Sequence, residues 1–204
     1  MGHYYKPHGG QQAGYNNLSP VCTATNMSMP TGCLATAMAQ IIRYHQYPNR
    51  WNWSQMPNLS GSAEVSRLMH DIGLAVNMNY GCNTSLANTE NEAASSFKND
   101  FAYSSATFAN FYAGTVKQNI TANQLVILRG SINTDGHAWV CDGYRTHTNW
   151  SDDCSTSWDY LYLHMNWGWE GSFNGWYNHT NWTIPGEGIT FNNNKKMVYN
   201  IKPN

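Results

Sequence analysis

A cysteine that follows a glycine and opens an alanine-rich apolar run, Thr31-Gly32-Cys33-Leu34-Ala35, places a thiol at the start of a helix. There the free backbone N–H groups and the helix macrodipole favour an anion and can bring a thiol pKa down to roughly 3.5–7.5. A thiolate of this kind attacks carbonyl carbon. Cleaving an amide also requires a neighbouring acid and base, because the departing amine must be protonated. Among eight histidines, His137 suits that role, since Gly136-His137-Ala138-Trp139-Val140 puts it at the mouth of a strand, beside a glycine that lets another backbone approach. Farther on, Asn166-Trp167-Gly168-Trp169 delivers an amide and two indoles to a turn. The amide is suited to orient the His137 ring, and the indoles to shield a Cys–His pair from water.

Each feature also has a plainer reading. Cys33 fits as a small buried hydrophobe and the tryptophans fit as core packing. Six of the other histidines invite structural roles. His45 lies on the apolar stripe of the Cys33 helix, His3 and His8 in the N-terminal arm, His147 and His179 in polar loops, and His164 within a strand. Cys22, Cys33, Cys82, Cys141 and Cys154 form no C-x-x-C pair, and H-E-x-x-H is absent, so neither zinc pattern is met and no metal or other cofactor is expected. An odd number of cysteines leaves at least one thiol unpaired; the other four form two disulfides in any of three connectivities, or stay reduced.

The elements that must position these residues change character along the chain. Residues 1–20, rich in Gly, His, Gln, Asn and Tyr, read as an extended arm. Leu34, Ala37, Met38, Ile41, Ile42 and His45 recur at helical spacing, which predicts a helix over about 33–46 that Pro48 terminates. Its few charges suit a helix buried on several faces. Val65, Leu68, Met69 and Ile72 indicate a second helix ending near Gly73, and Ala93, Phe97 and Phe101 a third. Strands are expected around 125–128, 138–141, 160–165, 175–177 and 197–201. The expectation is one α+β domain, with residues 21–122 mainly helical, 123–204 mainly antiparallel β, and a cleft where the halves meet.

The chain has 204 residues, 11% charged, with a formal net charge of −1. That balance supplies no electrostatic footprint for nucleic acid or an anionic membrane, and no apolar run is long enough to span a bilayer. The polar surface must come from Asn, Ser, Thr, Gln, Tyr and Trp, a mix suited to exported proteins. Met1-Gly2-His3-Tyr4-Tyr5 is not a signal sequence, so a signal peptide and pro-segment are expected to be absent from this chain.

Taken together, Thr31 to Ile42 (TGCLATAMAQII) with Tyr44-His45-Gln46-Tyr47-Pro48 closely resembles the nucleophile helix of the streptopain family, papain-fold bacterial cysteine peptidases. Further similar stretches follow in family order: Gln11 before Tyr15-Asn16, Met69 to Gly81, Gly136-His137-Ala138, Asp142-Gly143-Tyr144, and Leu163 to Trp169, with the likeness running on to near Lys202-Pro203. The resemblance implies a papain-like α+β fold with a central Cys-bearing helix packed on an antiparallel sheet or barrel. It implies Cys33 as nucleophile, His137 as general base and acid, and Gln11 as oxyanion-hole donor, with Gln12 as the second choice. Asn166 and Trp167 would hold and cover His137. Ser85, Gly136 and Trp169 are expected to touch substrate, with Asn83 to Ala87 near the subsite for the second residue before the cleaved bond, which family members often fill with an apolar side chain. The reaction implied is endopeptidase cleavage of proteins or peptides through a thioester. The family's zymogens further imply export and a pro-segment, or a protein inhibitor, as occupant of the cleft.

Three departures stand out. Glu170 replaces the family's usual glycine after the second Trp, residues 183–190 replace a Gly-rich loop, and the stretch between Tyr112 and Gly136 is shortened. Two other readings fit the residues: a different papain-fold amidase or acyl transferase, since Cys, His and Gln serve those reactions too, or a non-enzymatic binding module built on the six tryptophans between Trp150 and Trp182.

Overall fold

The computed structural model describes residues 9–12, 14–87, 91–133 and 135–204; His3 and His8 lie outside them. Helix α1 (Cys33–His45) is its centre, with every residue from Leu34 to Ile42 buried. Thr36 and Gln40 are polar members of that run, and each has a partner. Thr36 Oγ1 donates to Gly32 O at 3.0 Å, and Gln40 Nε2 donates to Asn166 Oδ1 at 3.1 Å. Burying these groups without partners would cost about 1–3 kcal/mol each, so the bonds fix how the helix sits against the second half. The helix stops where Gln46 takes a left-handed conformation, φ 48°, two residues before Pro48. A short 3-10 turn (Trp53–Gln55), α2 (Ala63–Ala75) and α3 (Glu92–Asn99) complete this side; α2 is capped by Ser62, whose hydroxyl accepts from Val65 N at 3.1 Å.

Two short strands, β1 (Val21–Cys22) and β2 (Met27–Ser28), form a small hairpin in the mainly helical half. The main sheet has six strands: β3 (Ser105–Asn110), β4 (Val126–Ile132), β5 (Asp135–Trp150), β6 (Ser157–Asn166), β7 (Gly175–Asn178) and β8 (Asn193–Lys202). Their order is β3-β8-β4-β5-β6-β7, with neighbours antiparallel and β3 and β7 at the edges. Strand β3 is the departure from a helices-then-strands reading: it precedes helix α4 (Ala113–Thr121) yet joins the sheet through the C-terminal strand β8. Neither β3 nor α4 carries a strong sequence signal. α4 buries only Val116, Asn119 and Ile120, too sparse a stripe to stand out against a polar background.

The sheet separates two apolar clusters. Ile127, Ala138, Val140 and Val198 face α1 and the other helices. Val126, Leu128, Trp139, Cys141, Met197 and Trp167 face the other way, onto Trp182 and Phe191. A single disulfide, Cys22–Cys82, spans 60 residues and ties β1 to the loop after α2; Cys33, Cys141 and Cys154 are free. Closing a loop of that length removes on the order of 4 kcal/mol of denatured-chain entropy.

Candidate active site

Gly32, the N-cap of α1, has φ 88°, a conformation that favours glycine. A Cβ there would lie 2.8 Å from Met78 Sδ and 3.0 Å from Ser85 O, so the main chain of the loop after α2 presses directly on the turn that presents Cys33. No acidic side chain occupies the first turn of α1 to compete with the thiol for the free N–H groups. Burial pushes the Cys33 thiol up, while backbone hydrogen bonds with Ala138, Leu34 and Cys33 and the charge of Arg129 draw it back down. The remaining free thiols sit elsewhere. Cys141 is buried in the sheet, its Sγ 3.6 Å from Gly143 O, and Cys154 is exposed.

His137 enters from β5, on the opposite face of the sheet from α1, and is 7% exposed. Four rings enclose the imidazole. Trp169 stacks at 4.7 Å between centroids, Trp139 at 5.8 Å and Trp167 at 6.1 Å, and Phe191 lies tilted at 5.5 Å. This apolar enclosure desolvates the ring and holds its pKa down to about 4, against the opposing effect of a hydrogen bond with Trp167. That bond joins His137 Nε2 to the Trp167 main-chain oxygen at 2.9 Å. Since a carbonyl only accepts, Nε2 carries the proton and Nδ1 presents the lone pair, the tautomer required of a base.

The direct partner of His137 is therefore a main-chain carbonyl rather than the Asn166 amide expected from the sequence. Asn166 Oδ1 accepts instead from Gln40 Nε2 at 3.1 Å, Asn174 Nδ2 at 3.3 Å and Gly168 N at 3.4 Å. Asn166 thus anchors the turn that carries the carbonyl and couples it to α1. Trp169, expected to touch substrate, is also the ring stacked closest on His137.

Cys33 and His137 both line one cleft with two arms. The first, about 520 Å³, runs past Gln11, Gln12, Ser85, Trp169 and Glu170. The second, about 550 Å³, runs past Leu86, Arg129, Asp135, Ile189 and Phe191. Gly136 and Trp169 border both. Gln11 is held at the rim by its own backbone, its carbonyl accepting from Thr31 N at 3.0 Å, while Gly9 O accepts from Glu170 N at 2.9 Å and Gly10 O from Thr36 Oγ1 at 3.4 Å. Ser85 is buried, and its hydroxyl accepts from Gly81 N at 3.3 Å, so it shapes the rim loop. A bridge between Asn79 and Leu86 and the Cys22–Cys82 disulfide fix the same loop. Glu170 has φ 53° and its side chain packs over Gly10, at the first arm.

Several contributors carried little sequence signal. Trp139 lies two residues past His137 on the same strand face, so alternation alone places it beside the imidazole. Phe191 and Arg129 arrive from distant segments that only the sheet register brings together. A second, partly buried pair, His164 Nδ1 with Asp142 Oδ1, sits in the β5–β6 pairing and lines neither arm. Among the described residues no group of three or more His, Cys, Asp or Glu is placed to hold a metal ion, and no helix is long and apolar enough to cross a membrane.

Comparison with known proteins agrees with this architecture. Streptopain of Streptococcus pyogenes is 26% identical over 93% of this chain, and the thiol protease/hemagglutinin PrtT of Porphyromonas gingivalis is 26% identical over 79%. The chain spans 58% of the length of streptopain and 21% of PrtT. Among solved structures, active interpain A cysteine protease of Prevotella intermedia superposes with a TM-score of 0.73 at 24% identity, covering 95% of this chain and 91% of interpain A. A prointerpain A fragment from the same organism gives 0.72 at 23% identity, covering 98% of this chain and 71% of the fragment. The fold is that of these cysteine proteases. The model of the Peptidase C10 family matches residues 10–177, and the chain belongs to that family.

Proposed function

We propose that the chain is a cysteine endopeptidase with Cys33 as nucleophile and His137 as base and acid. The observation that carries this reading is the pairing of a helix-start thiol with a histidine whose Nε2 is committed to Trp167 O, both opening on one cleft. As Cys33 Sγ attacks the peptide carbonyl, its proton passes to His137 Nδ1. The oxyanion draws on the Gln11 side chain and the Cys33 N–H. Collapse breaks the C–N bond, His137 protonates the departing amine, and a thioester remains. Water then attacks the thioester, giving one proton to His137 and its oxygen to the carboxyl product, and the thiol is restored. Asn166 and Trp167 position the imidazole, and Ser85, Gly136 and Trp169 shape the walls that a peptide would meet.

The Cys22–Cys82 disulfide supports export to an oxidising compartment, as does the low charge content. Proteins or peptides are the proposed substrates, and similarity to a prointerpain fragment supports a pro-segment as a natural occupant of the cleft. Limiting iodoacetamide should label Cys33 first, as mapped by mass spectrometry, and casein cleavage should fall in step with labelling and be absent in Cys33→Ala. Scattered labelling among Cys33, Cys141 and Cys154 with no cleavage would overturn the proposal.

A further inference from the structure

The second arm of the cleft combines apolar walls with a positive floor. Leu86, Ala87, Ile132, Ile189 and Phe191 surround it, and Arg129 of β4 lies at its base. In the sheet register Arg129 stands directly opposite Ala138 on β5 and Lys196 on β8, so two cations are cross-strand neighbours, an arrangement that repels. Lys196 Nζ finds a neutral acceptor, Asn110 Oδ1, at 2.6 Å. Arg129 Nη1 is buried and has no hydrogen-bond partner among the described residues. Among the described residues the ion pairs are Arg67–Glu64 and His164–Asp142, and neither involves Arg129. Gly136 is what admits the guanidinium: a Cβ at that position would lie 3.1 Å from Arg129 Nη2. The charge therefore sits against the main chain just before His137.

Nη1 itself is closed to solvent, but the Arg129 side chain as a whole is half-buried, borders the arm and lacks an anionic partner among the described residues; a carboxylate is the counter-ion that suits it best, by charge and by its capacity for paired N–H···O bonds. We propose that Arg129 makes this arm a recognition site for an acidic side chain of the substrate, foremost glutamate, whose methylenes lie along the apolar walls while its carboxylate meets the guanidinium. Asp135 borders the same arm and has the opposite charge, but it is exposed and water screens it. This assignment rests on the endopeptidase reading. Leu86 and Ala87, expected near the subsite for the second residue before the cleaved bond, border this arm, and Arg129 adds a charge to it that a purely apolar preference would leave unused.

The competing role for Arg129 is electrostatic support of the Cys33 thiolate, which would affect every substrate alike. The experiment is a mixture of peptides mapped for cleavage by mass spectrometry, followed by kcat/KM for three peptides that differ only by Glu, Gln or Leu at the enriched position, using the parent chain, Arg129→Gln and Arg129→Leu. Expected are enrichment of Glu at one fixed position from the cleaved bond, a preference of about tenfold or more for Glu over Gln in the parent, and loss of that preference in Arg129→Gln, with Leu favoured in Arg129→Leu. The ratio between peptides is the readout, and iodoacetamide titration of Cys33 counts competent sites in each variant. A parent that cleaves the Gln or Leu peptide as well as the Glu peptide overturns the assignment while leaving the peptidase reading intact. Equal losses for all three peptides in Arg129→Gln, with a shifted acidic limb of the pH profile, also overturn it and make Arg129 a support of the thiolate. A parent with no cleavage and no selective labelling of Cys33 removes the peptidase reading itself, and this assignment with it.

Discussion

The two halves of the site hold the proposed nucleophile and the proposed base by different means. On the helical side, Cys33 is placed by main chain: a glycine at φ 88°, a helix start, and a loop whose Ser85 carbonyl leaves no room for a Cβ at position 32. On the sheet side, His137 is placed by side chains, three indoles and a phenyl ring around the imidazole, with one carbonyl fixing its tautomer. Backbone placement gives the sulfur N–H dipoles that favour an anion. Ring placement removes water and disfavours a cation, which lowers the imidazole to about 4. Burial also pushes the thiol up, so both effects favour the neutral forms of thiol and imidazole. On the proposed reading, proton transfer then accompanies attack on the substrate carbonyl.

The largest test of this contrast is removal of either reactive group. Cys33→Ala and His137→Ala are each expected to lower kcat for peptide cleavage by about 10⁴-fold or more, with little further loss in the double variant, because the pair acts as a unit. Additive losses would mean that the two residues do not serve one step. Opening the ring enclosure comes next. Trp169→Ala admits water to His137, so its pKa should rise from about 4 toward its ordinary value. The acidic limb of kcat/KM should move up by about one unit, with a loss of about twofold near pH 5, about fivefold near pH 4 and almost none from this cause near pH 7.5. An unmoved limb would show that Trp139, Trp167 and Phe191 suffice to keep the ring dry.

The same contrast explains what the sequence made legible. Backbone placement leaves local marks, so Gly32-Cys33 at the head of an apolar stripe could be read directly, as could Gly136-His137 at a strand mouth. Asn166-Trp167-Gly168-Trp169 was visible as a motif, but which atom of it meets His137 depends on where a turn folds back, and there the main-chain oxygen took the place given to the amide. The rest depended on pairing between distant segments. Strand β3 is adjacent to β8 only in space, Phe191 precedes the strand that carries it to the site, and Arg129 becomes part of the cleft through its register with Ala138. Nor could cysteine arithmetic choose Cys22–Cys82 with Cys141 and Cys154 left free, since distance in the fold decides pairing.

A smaller effect is expected where the two modes touch. Gly32→Ala forces a Cβ against Ser85 O in a left-handed conformation, costing about 1–3 kcal/mol. Thermal melting should register this as a drop of several degrees, accompanied by slower labelling of Cys33. Gln40→Leu should act differently, since Gln40 links α1 to Asn166 across the halves. It strands the Asn166 carbonyl of one donor, so the imidazole side should loosen and kcat should fall more than KM rises, while Cys33 labelling changes little. If instead both variants slowed labelling equally, the helix and the turn would be one rigid unit and the contrast between them would fail.

The effect smallest on activity separates burial from reactivity. His45, at the end of α1 and bonded through Nδ1 to Tyr103 Oη at 3.1 Å, is also lowered to about 4 by burial, although its place at a helix C-terminus would favour a charge. For both histidines the folded pKa lies below the unfolded value of about 6.5. Above that value neither state binds the proton and stability is unaffected. As pH falls from about 6.5 toward 4, the unfolded chain takes up protons that the fold refuses, and stability declines by at most about 1.4 kcal/mol per unit per histidine. Below about 4 the folded form binds them too, and this decline ends. Melting temperature followed across that window should fall less steeply in His45→Gln, whose acidic limb of kcat/KM should stay where it is in the parent chain. His137→Gln should flatten the melting curve in the same way while abolishing turnover. A His45→Gln variant whose kinetic limb moved with its melting curve would tie the limb to global stability rather than to the ring enclosed by the tryptophans.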